Sequence, residues 1–286
     1  MPRTSAPEVS RPRLVCSACP DMKRYDAVHI PSGLMMLFHV AGSATFLADS
    51  IHALPQNSVV PPSLWEVHRR ATRVLFETDL DRPPEIPAGA LLGSQTPLSS
   101  LVPASTYDAA SALWKQFKIA LQLETLKPWF AGLVLANSLG GSIGFDPKFG
   151  IDRQIWQATS PDRRFVLEGI EALEAFDGAP SDEQGDYLAM IATTPDVVID
   201  RLNRLHHYWQ GSDAVGFANE LLAAKQRFPK MFSGLIEGRN AAWLPAIVGL
   251  VNDPTQSLVL VGALHLVGPL SLPALLAQQG YKVSAI

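Results

Sequence analysis

The chain has 286 residues, 47% of them hydrophobic and 17% charged, with a formal net charge of −4 and a sequence pI of about 6.0. That is enough apolar chain to bury a sizeable core, in one large domain or two small ones. A mildly acidic and evenly mixed charge excludes the basic face that nucleic acid or anionic lipid requires, and no like-charge block marks an interaction tail.

Residues 1–32 are rich in Pro, Ser and Arg and predict a flexible arm. No apolar run precedes Pro31, so the arm carries no secretory h-region. Cys16 and Cys19 form an isolated C-x-x-C there. With no second cysteine pair and no βαβ context, two loose thiols are the preferred reading over a redox or half-zinc motif. Two cysteines cannot staple a secreted scaffold of this size, which points to the cytoplasm. From Leu34, the runs LMMLFHV and ATFLADS flank Ala41-Gly42-Ser43 and predict a β-hairpin, with His52 directly after it. Pro62 opens a helix at its first turn. Arg73–Thr78 predicts a strand through Val74, Leu75 and Phe76 that carries Glu77 near its end.

Residues 81–104 read as a proline-rich loop or short pieces. Helix is predicted from Ser105 to about Gly141, with Ser105 and Asp108 as a capping box and Pro128 opening a second helix. Arg164–Glu168 predicts a strand. Helical periodicity then runs from Glu171 to Val251, broken at Gly178, Pro195, Gly211 and Pro229. Ser257–Gly262 is a near-continuous apolar run of the kind buried on both faces. Leu258–Ala277 is long enough to span a membrane, but His265, Gly262, Gly268, Pro269 and Pro273 interrupt it; strand, turn and helix describe it better. A helix over about Ser271–Gln279 and a last strand over Tyr281–Ile286 complete the chain. The expected fold is therefore α/β, with one central mixed sheet formed by both chain ends and covered by helices. Residues 33–286 form a single domain in this reading, and residues 105–235 a mostly helical insertion.

ATFLADSIH and SLVLVGALH are alike: each is an apolar strand with a small or turn-forming residue three before a histidine. If both strands share one sheet, His52 and His265 emerge at strand ends, where open α/β sheets place their crevices. Glu77 ends a third strand. Two imidazoles and one carboxylate make a three-ligand set that leaves positions open for water and substrate, suited to Zn²⁺, Mn²⁺ or Co²⁺. The competing reading is that these are hydrogen-bonded core histidines and an exposed strand terminus.

Arg239-Asn240-Ala-Ala-Trp243, Gly262-Ala-Leu-His265-Leu-Val-Gly268, Leu275-Leu276 and Gly280-Tyr-Lys-Val283 resemble, in order, the C-terminal motifs of the TraB/GumN family. ATFLADSIHALP resembles that family's first Gly-x-x-His segment and LFETDL its Glu-bearing strand. Lys127-Pro128-Trp129, Phe149-Gly150-Ile151-Asp152, Val166-Leu167-Glu168 and Tyr208-Trp209-Gln210-Gly211 fall between them in family order, so the likeness covers residues 34–286. The resemblance implies a fold shared with erythromycin-esterase-like and haem-binding ChaN-like proteins. It also implies a metal-dependent hydrolytic site like that of the Tiki proteases, which use Mn²⁺ or Co²⁺. The motif histidines carry over to His52 and His265 and the motif glutamate to Glu77, as ligand or general base. Arg239 and Asn240 would lie beside the site, to stabilise an oxyanion or orient a carboxylate; the alternative is a helix-surface pair.

Asp49 stands where the family has glycine. It needs a tolerated left-handed conformation, or adds a carboxylate near the site, or marks a site that has decayed. Asp152 either caps a helix or supports the site as a second carboxylate. His206 and His207 are neighbours on a helix and point about 100° apart, which disfavours a shared metal; His39 and His68 read as structural. Gly140-Gly141-Ser-Ile-Gly144 lacks the lysine and the preceding strand of a phosphate loop. The functional expectation is a metal-dependent hydrolase, a peptidase of the Tiki type, acting on a peptide or small-molecule substrate. The second reading is a binding protein that sequesters a metal, haem or a peptide signal without turnover.

Overall fold

The computed structural model describes residues 36–83, 85–169 and 173–286. The arm of residues 1–32, with Cys16 and Cys19, lies outside them. The predicted hairpin forms β1 (Leu37–Val40) and β2 (Thr45–Ser50), paired antiparallel, with Gly42 at φ +80° in the turn between them. Four further strands are β3 (Arg73–Phe76), β4 (Arg164–Val166), β5 (Ser257–Gly262) and β6 (Val283–Ala285), and the sheet order is β4-β3-β5-β2-β1-β6. The run β4-β3-β5-β2 is parallel throughout, while β1 is antiparallel to both β2 and β6. This is the expected mixed α/β sheet. Leu258, Val259, Leu260 and Val261 on β5 are all 1% exposed or less, as a central strand covered on both faces demands. The described part of the stretch 105–235 is mostly helical and contributes β4 as an edge strand.

The helices are α1 (Pro62–Arg70), α2 (Ala104–Gln116), α3 (Pro128–Ser142), α4 (Ile151–Ala158), α5 (Glu174–Asp177), α6 (Ser181–Thr193), α7 (Pro195–Gln210), α8 (Ala214–Arg227), α9 (Pro229–Phe232), α10 (Arg239–Val251) and α11 (Leu272–Gln278). Leu64 of α1, Ile155 of α4, Ile247 of α10 and Leu276 of α11 pack on the sheet in one buried cluster. A second cluster unites α2, α3, α6 and α9 through Trp114, Trp129, Leu188 and Met231. Leu221 and Leu264 pack against both.

Two local expectations are corrected. α2 begins at Ala104 after Pro103, with no side-chain cap, so Ser105 and Asp108 form no capping box. Pro103, at φ −55°, already supplies the fixed dihedral that starts the helix. The helix breaking at Pro229 does not run on regularly either: a π-helical turn, Ser233–Gly238, joins α9 to α10. Leu258–Ala277 forms β5, a 3₁₀ turn over Ala263–Leu266 and α11, and among the described residues no helix is long and apolar enough to cross a membrane.

Candidate functional site

The four parallel strands end along one sheet edge, and each delivers a side chain just beyond its end: His52 after β2, Glu77 after β3, Glu168 after β4 and His265 after β5. The β3–β4 ladder continues past the strands, with Leu167 N–H on Phe76 O (2.9 Å) and Glu168 N–H on Glu77 O (3.0 Å), so the two glutamates leave the sheet side by side. This is the crevice position of open α/β sheets.

His265 is fixed most firmly. It is 3% exposed, and Trp243 packs on its ring at a centroid distance of 4.6 Å. Asn240, fully buried, donates through Nδ2 to the backbone carbonyls of Leu270 (2.8 Å) and His265 (3.3 Å). Carbonyls only accept, so the amide can face one way alone, and its Oδ1 meets His265 Nδ1 at 2.8 Å. Nδ1 must carry the proton. Nε2 is left as the acceptor: Arg239 Nη1 reaches it at 3.4 Å, and Glu77 Oε1 stands 3.8 Å away.

His52 is held similarly but more openly, with 58% of its side chain exposed. Its Nδ1 donates to Asp152 Oδ2 at 2.6 Å, which turns Nε2 toward Glu77 Oε1 at 3.7 Å. Asp152 sits in the first turn of α4, and its other oxygen accepts only the adjacent Arg153 N–H (2.9 Å), so positioning His52 is its main work and capping a minor one. Gly150 makes this approach possible: a Cβ there would lie 2.6 Å from Asp152 Oδ1 and closer still to the His52 carbonyl. Gly262 does the same at the centre, since a Cβ would stand 3.2 Å from Glu77 Oε1 and 3.4 Å from His52 Nε2.

Glu77 Oε1 also accepts the Gly262 N–H at 2.5 Å, and Oε2 accepts from Arg239 at 2.6 Å. Arg239 is itself held by Glu168, through Nε at 2.8 Å and through a second, shorter bond. Its guanidinium stacks 4.6 Å over Trp243, whose indole N–H donates to Glu168 Oε2 at 3.2 Å. The π-turn immediately before Arg239 sets where α10 begins, and so places Arg239 and Asn240 toward the sheet edge.

Burial works against the Glu77 carboxylate, yet the cationic forms of His265 and His52, the Arg239 guanidinium and the Gly262 N–H bring its pKa down to about 2. Burial, helped by Arg239 and His52, lowers His265 to about 4 in spite of Glu77. His265 is therefore neutral at pH 7, and Arg239 and His52 are the cations that keep Glu77 ionised there. Desolvation also opposes charge on His52, but Asp152, by charge and hydrogen bond, and Glu77 outweigh it and push its pKa up; because that side chain is largely exposed, water screens part of the pull.

Of the residues singled out in the sequence, the fold brings together His52, Glu77, His265, Arg239, Asn240 and Asp152. It does not bring Asp49 to them. Asp49 lies within β2 opposite Val261, in extended rather than left-handed backbone. Ser50 lines the cavity beside the site, and strand alternation sends Asp49 to the opposite face. It is 1% exposed, Oδ1 has no hydrogen-bond partner among the described residues, and burial pushes its pKa up to about 8 against its backbone hydrogen bonds. His39 bonds Ser43 O and His68 bonds Thr159 Oγ1, both away from the site, and His206 stacks on Trp209.

Glu168 and Arg153 were missed by the sequence reading as site residues. Glu168 was visible only as the end of the Val166-Leu167-Glu168 match. Arg153 lines the cavity of about 340 Å³ that opens over these groups, and had no signal of its own.

The donor chemistry suits a divalent cation: two neutral-capable imidazoles offering Nε2 and one ionised carboxylate. The spacing is slightly wide. Ligand atoms around a tetrahedral ion lie roughly 3.4 Å apart, so both imidazoles would have to close on Glu77 by a few tenths of an ångström. Among the described residues no trio of His, Cys, Asp or Glu is already assembled tightly enough to hold an ion. The exposed His52 has the freedom to make that adjustment.

Residues 36–285, nearly the whole chain, match the model of the TraB/PrgY/gumN family. No curated protein and no solved structure matches the chain.

Proposed function

Because the chain belongs to the TraB/PrgY/gumN family, we propose that its cleft hydrolyses a peptide or a small amide-bearing molecule with a divalent metal held by His52, Glu77 and His265. The observation that carries this reading is the convergence of two imidazole Nε2 atoms on one carboxylate oxygen, at 3.7 and 3.8 Å. A bound Mn²⁺, Co²⁺ or Zn²⁺ would supply Lewis acidity, lowering the pKa of water and polarising the scissile carbonyl. The chain's own residues prepare that chemistry. Asn240 keeps the His265 proton on Nδ1, and Asp152 turns His52 Nε2 inward. Arg239, locked by Glu168, keeps Glu77 ionised and stationary, as ligand or general base. Its donors face Glu77, Glu168, Leu235 O and His265 Nε2, so direct oxyanion stabilisation is the lesser of its roles.

One observation favours a second reading. Arg239 pairs with Glu77 and so weakens it as a base, and a cleft without an effective base binds a metal, haem or peptide ligand without turning it over. Metal content of the purified chain, beside His265→Ala, together with peptide cleavage after adding each metal, separates the two. Stoichiometric metal lost in the variant, with metal-restored cleavage, supports the hydrolase. Metal without cleavage leaves the binding protein. A wild type that takes up no metal refutes the His/Glu/His site.

A further inference from the structure

Arg239 offers a substrate no free guanidinium, since its donors are directed at two glutamates, a carbonyl and His265 Nε2. Arg153 is different. It follows Asp152 on α4 and lines the same cavity, half-buried. Its backbone N–H bonds Asp152 Oδ1, but its side chain forms no salt bridge with any described carboxylate. The neighbouring Asp152 charge is matched by His52, and among the described residues no carboxylate pairs with the Arg153 guanidinium. Beside the polar groups His52, Glu77, Thr78, Asp152 and Arg239, that wall offers apolar surface from Leu80, Leu173, Phe176 and Leu235. A cavity that sets a guanidinium without a carboxylate partner among the described residues beside apolar surface is suited to reading one charged end of a small ligand.

We infer that the cleft takes an anionic, partly apolar substrate: a short peptide or N-acyl amino acid whose carboxylate lies on Arg153 and whose adjoining side chain lies on the leucines and Phe176. A guanidinium grips a carboxylate with two parallel hydrogen bonds, which is why arginine suits this task. Where that carboxylate is a chain terminus, the bond presented to Glu77 and the two histidines is the one next to the terminal residue, as in an exopeptidase. Catalysis rests on the hydrolase reading above; binding does not. The carboxylate can come from a chain terminus or from an acidic side chain.

Isothermal titration calorimetry on the full-length, as-purified chain tests this, with N-acetyl-Leu-Phe, its C-terminal amide, and N-acetyl-Glu-Phe amide as probes and cleavage followed in parallel. The free acid should bind about tenfold or more tightly than its amide, as a charge-assisted pair provides. In Arg153→Gln that preference should fall to about twofold or less, with Arg153→Lys between them because a point charge without the fork remains. In the wild type it should also weaken at about 0.5 M NaCl, a measurement that does not depend on how any variant folds. If the acidic-side-chain probe binds as well as the free acid, the source is an internal acidic residue and the carboxylate site stands. If the preference is present but no probe is cleaved, the hydrolase reading fails and the carboxylate site stands. Equal binding of acid and amide, no binding of any probe, or a preference kept by a folded Arg153→Gln overturns it.

Discussion

Asp49 is a carboxylic acid walled into a β-sheet, and replacing it with asparagine should stabilise the protein in a way that depends on pH. Its folded pKa is about 8 against an ordinary value of 3.8. Between those values the native state holds a proton that the unfolded chain has released. The contribution of the protonated form is therefore complete below about pH 4 and is lost as pH rises through about 8. Each unit of pKa difference corresponds to about 1.4 kcal/mol, so the wild type should lose on the order of 1 kcal/mol per pH unit across that window relative to Asp49→Asn. Asparagine keeps the size of the acid and cannot ionise. Urea unfolding, followed through the fluorescence of the six tryptophans, measures the difference. The two proteins should be within about 1 kcal/mol of each other near pH 4, with the variant ahead by on the order of 5 kcal/mol near pH 8. Peptide cleavage and metal content should be unchanged, because Asp49 lies on the face of β2 turned from the cavity. A stability difference flat in pH, or a variant weaker than wild type at pH 8, would refute both the neutral acid and its placement.

Three further outcomes follow from the site. Gly150→Ala forces a Cβ onto the His52 carbonyl and Asp152 and should cost about 1–3 kcal/mol in urea unfolding while weakening metal uptake; a fully stable variant with wild-type metal content contradicts the close approach. Glu168→Gln removes the charge that fixes Arg239, and kcat should fall about tenfold or more at a stability cost of about 1–3 kcal/mol; unchanged kinetics would show that Glu77 needs no such anchoring. His265 should stay unprotonated down to about pH 5 in an imidazole NMR titration of the metal-free protein. Because its folded pKa is depressed below the unfolded 6.5, it favours the native state above that pH and costs stability as pH falls from 6.5 toward 4. A resonance titrating near 6.5 would show that burial and Arg239 do not act as described.

The sheet was legible where its strands are short, apolar and sharply bounded. The hairpin around Gly42, the Arg73–Phe76 strand and the Ser257–Gly262 strand each announce themselves by composition and by what stops them. Likeness between ATFLADSIH and SLVLVGALH placed two histidines beyond the ends of two strands, and those strands, β2 and β5, pair in parallel. Glu168 escaped because it follows a three-residue edge strand inside a helical stretch, and nothing local shows that it will grip a residue 71 positions away. Asp49 was misplaced for a different reason. Its position in a Gly-x-x-His-like segment suggested a turn, whereas pairing with Val261 keeps it in the ladder, and one residue of alternation decides which face it serves. The π-turn before Arg239 was invisible to a 3.6-residue period by construction of that test. Arg153 is a single charge on an amphipathic helix, indistinguishable in sequence from any solvent-facing arginine.

The placement of β5 between β2 and β3 has a consequence for how the protein is made. As synthesis proceeds, the hairpin bearing His52 and the strand bearing Glu77 leave the ribosome early, and the strand that unites them follows roughly 200 residues later, on the order of 10–40 s at ordinary elongation rates. For that interval β2 has an open edge, which nascent-chain chaperones are suited to cover. The cleft is also kept from assembling on an unfinished chain, because its last histidine arrives only with the strand that completes the sheet.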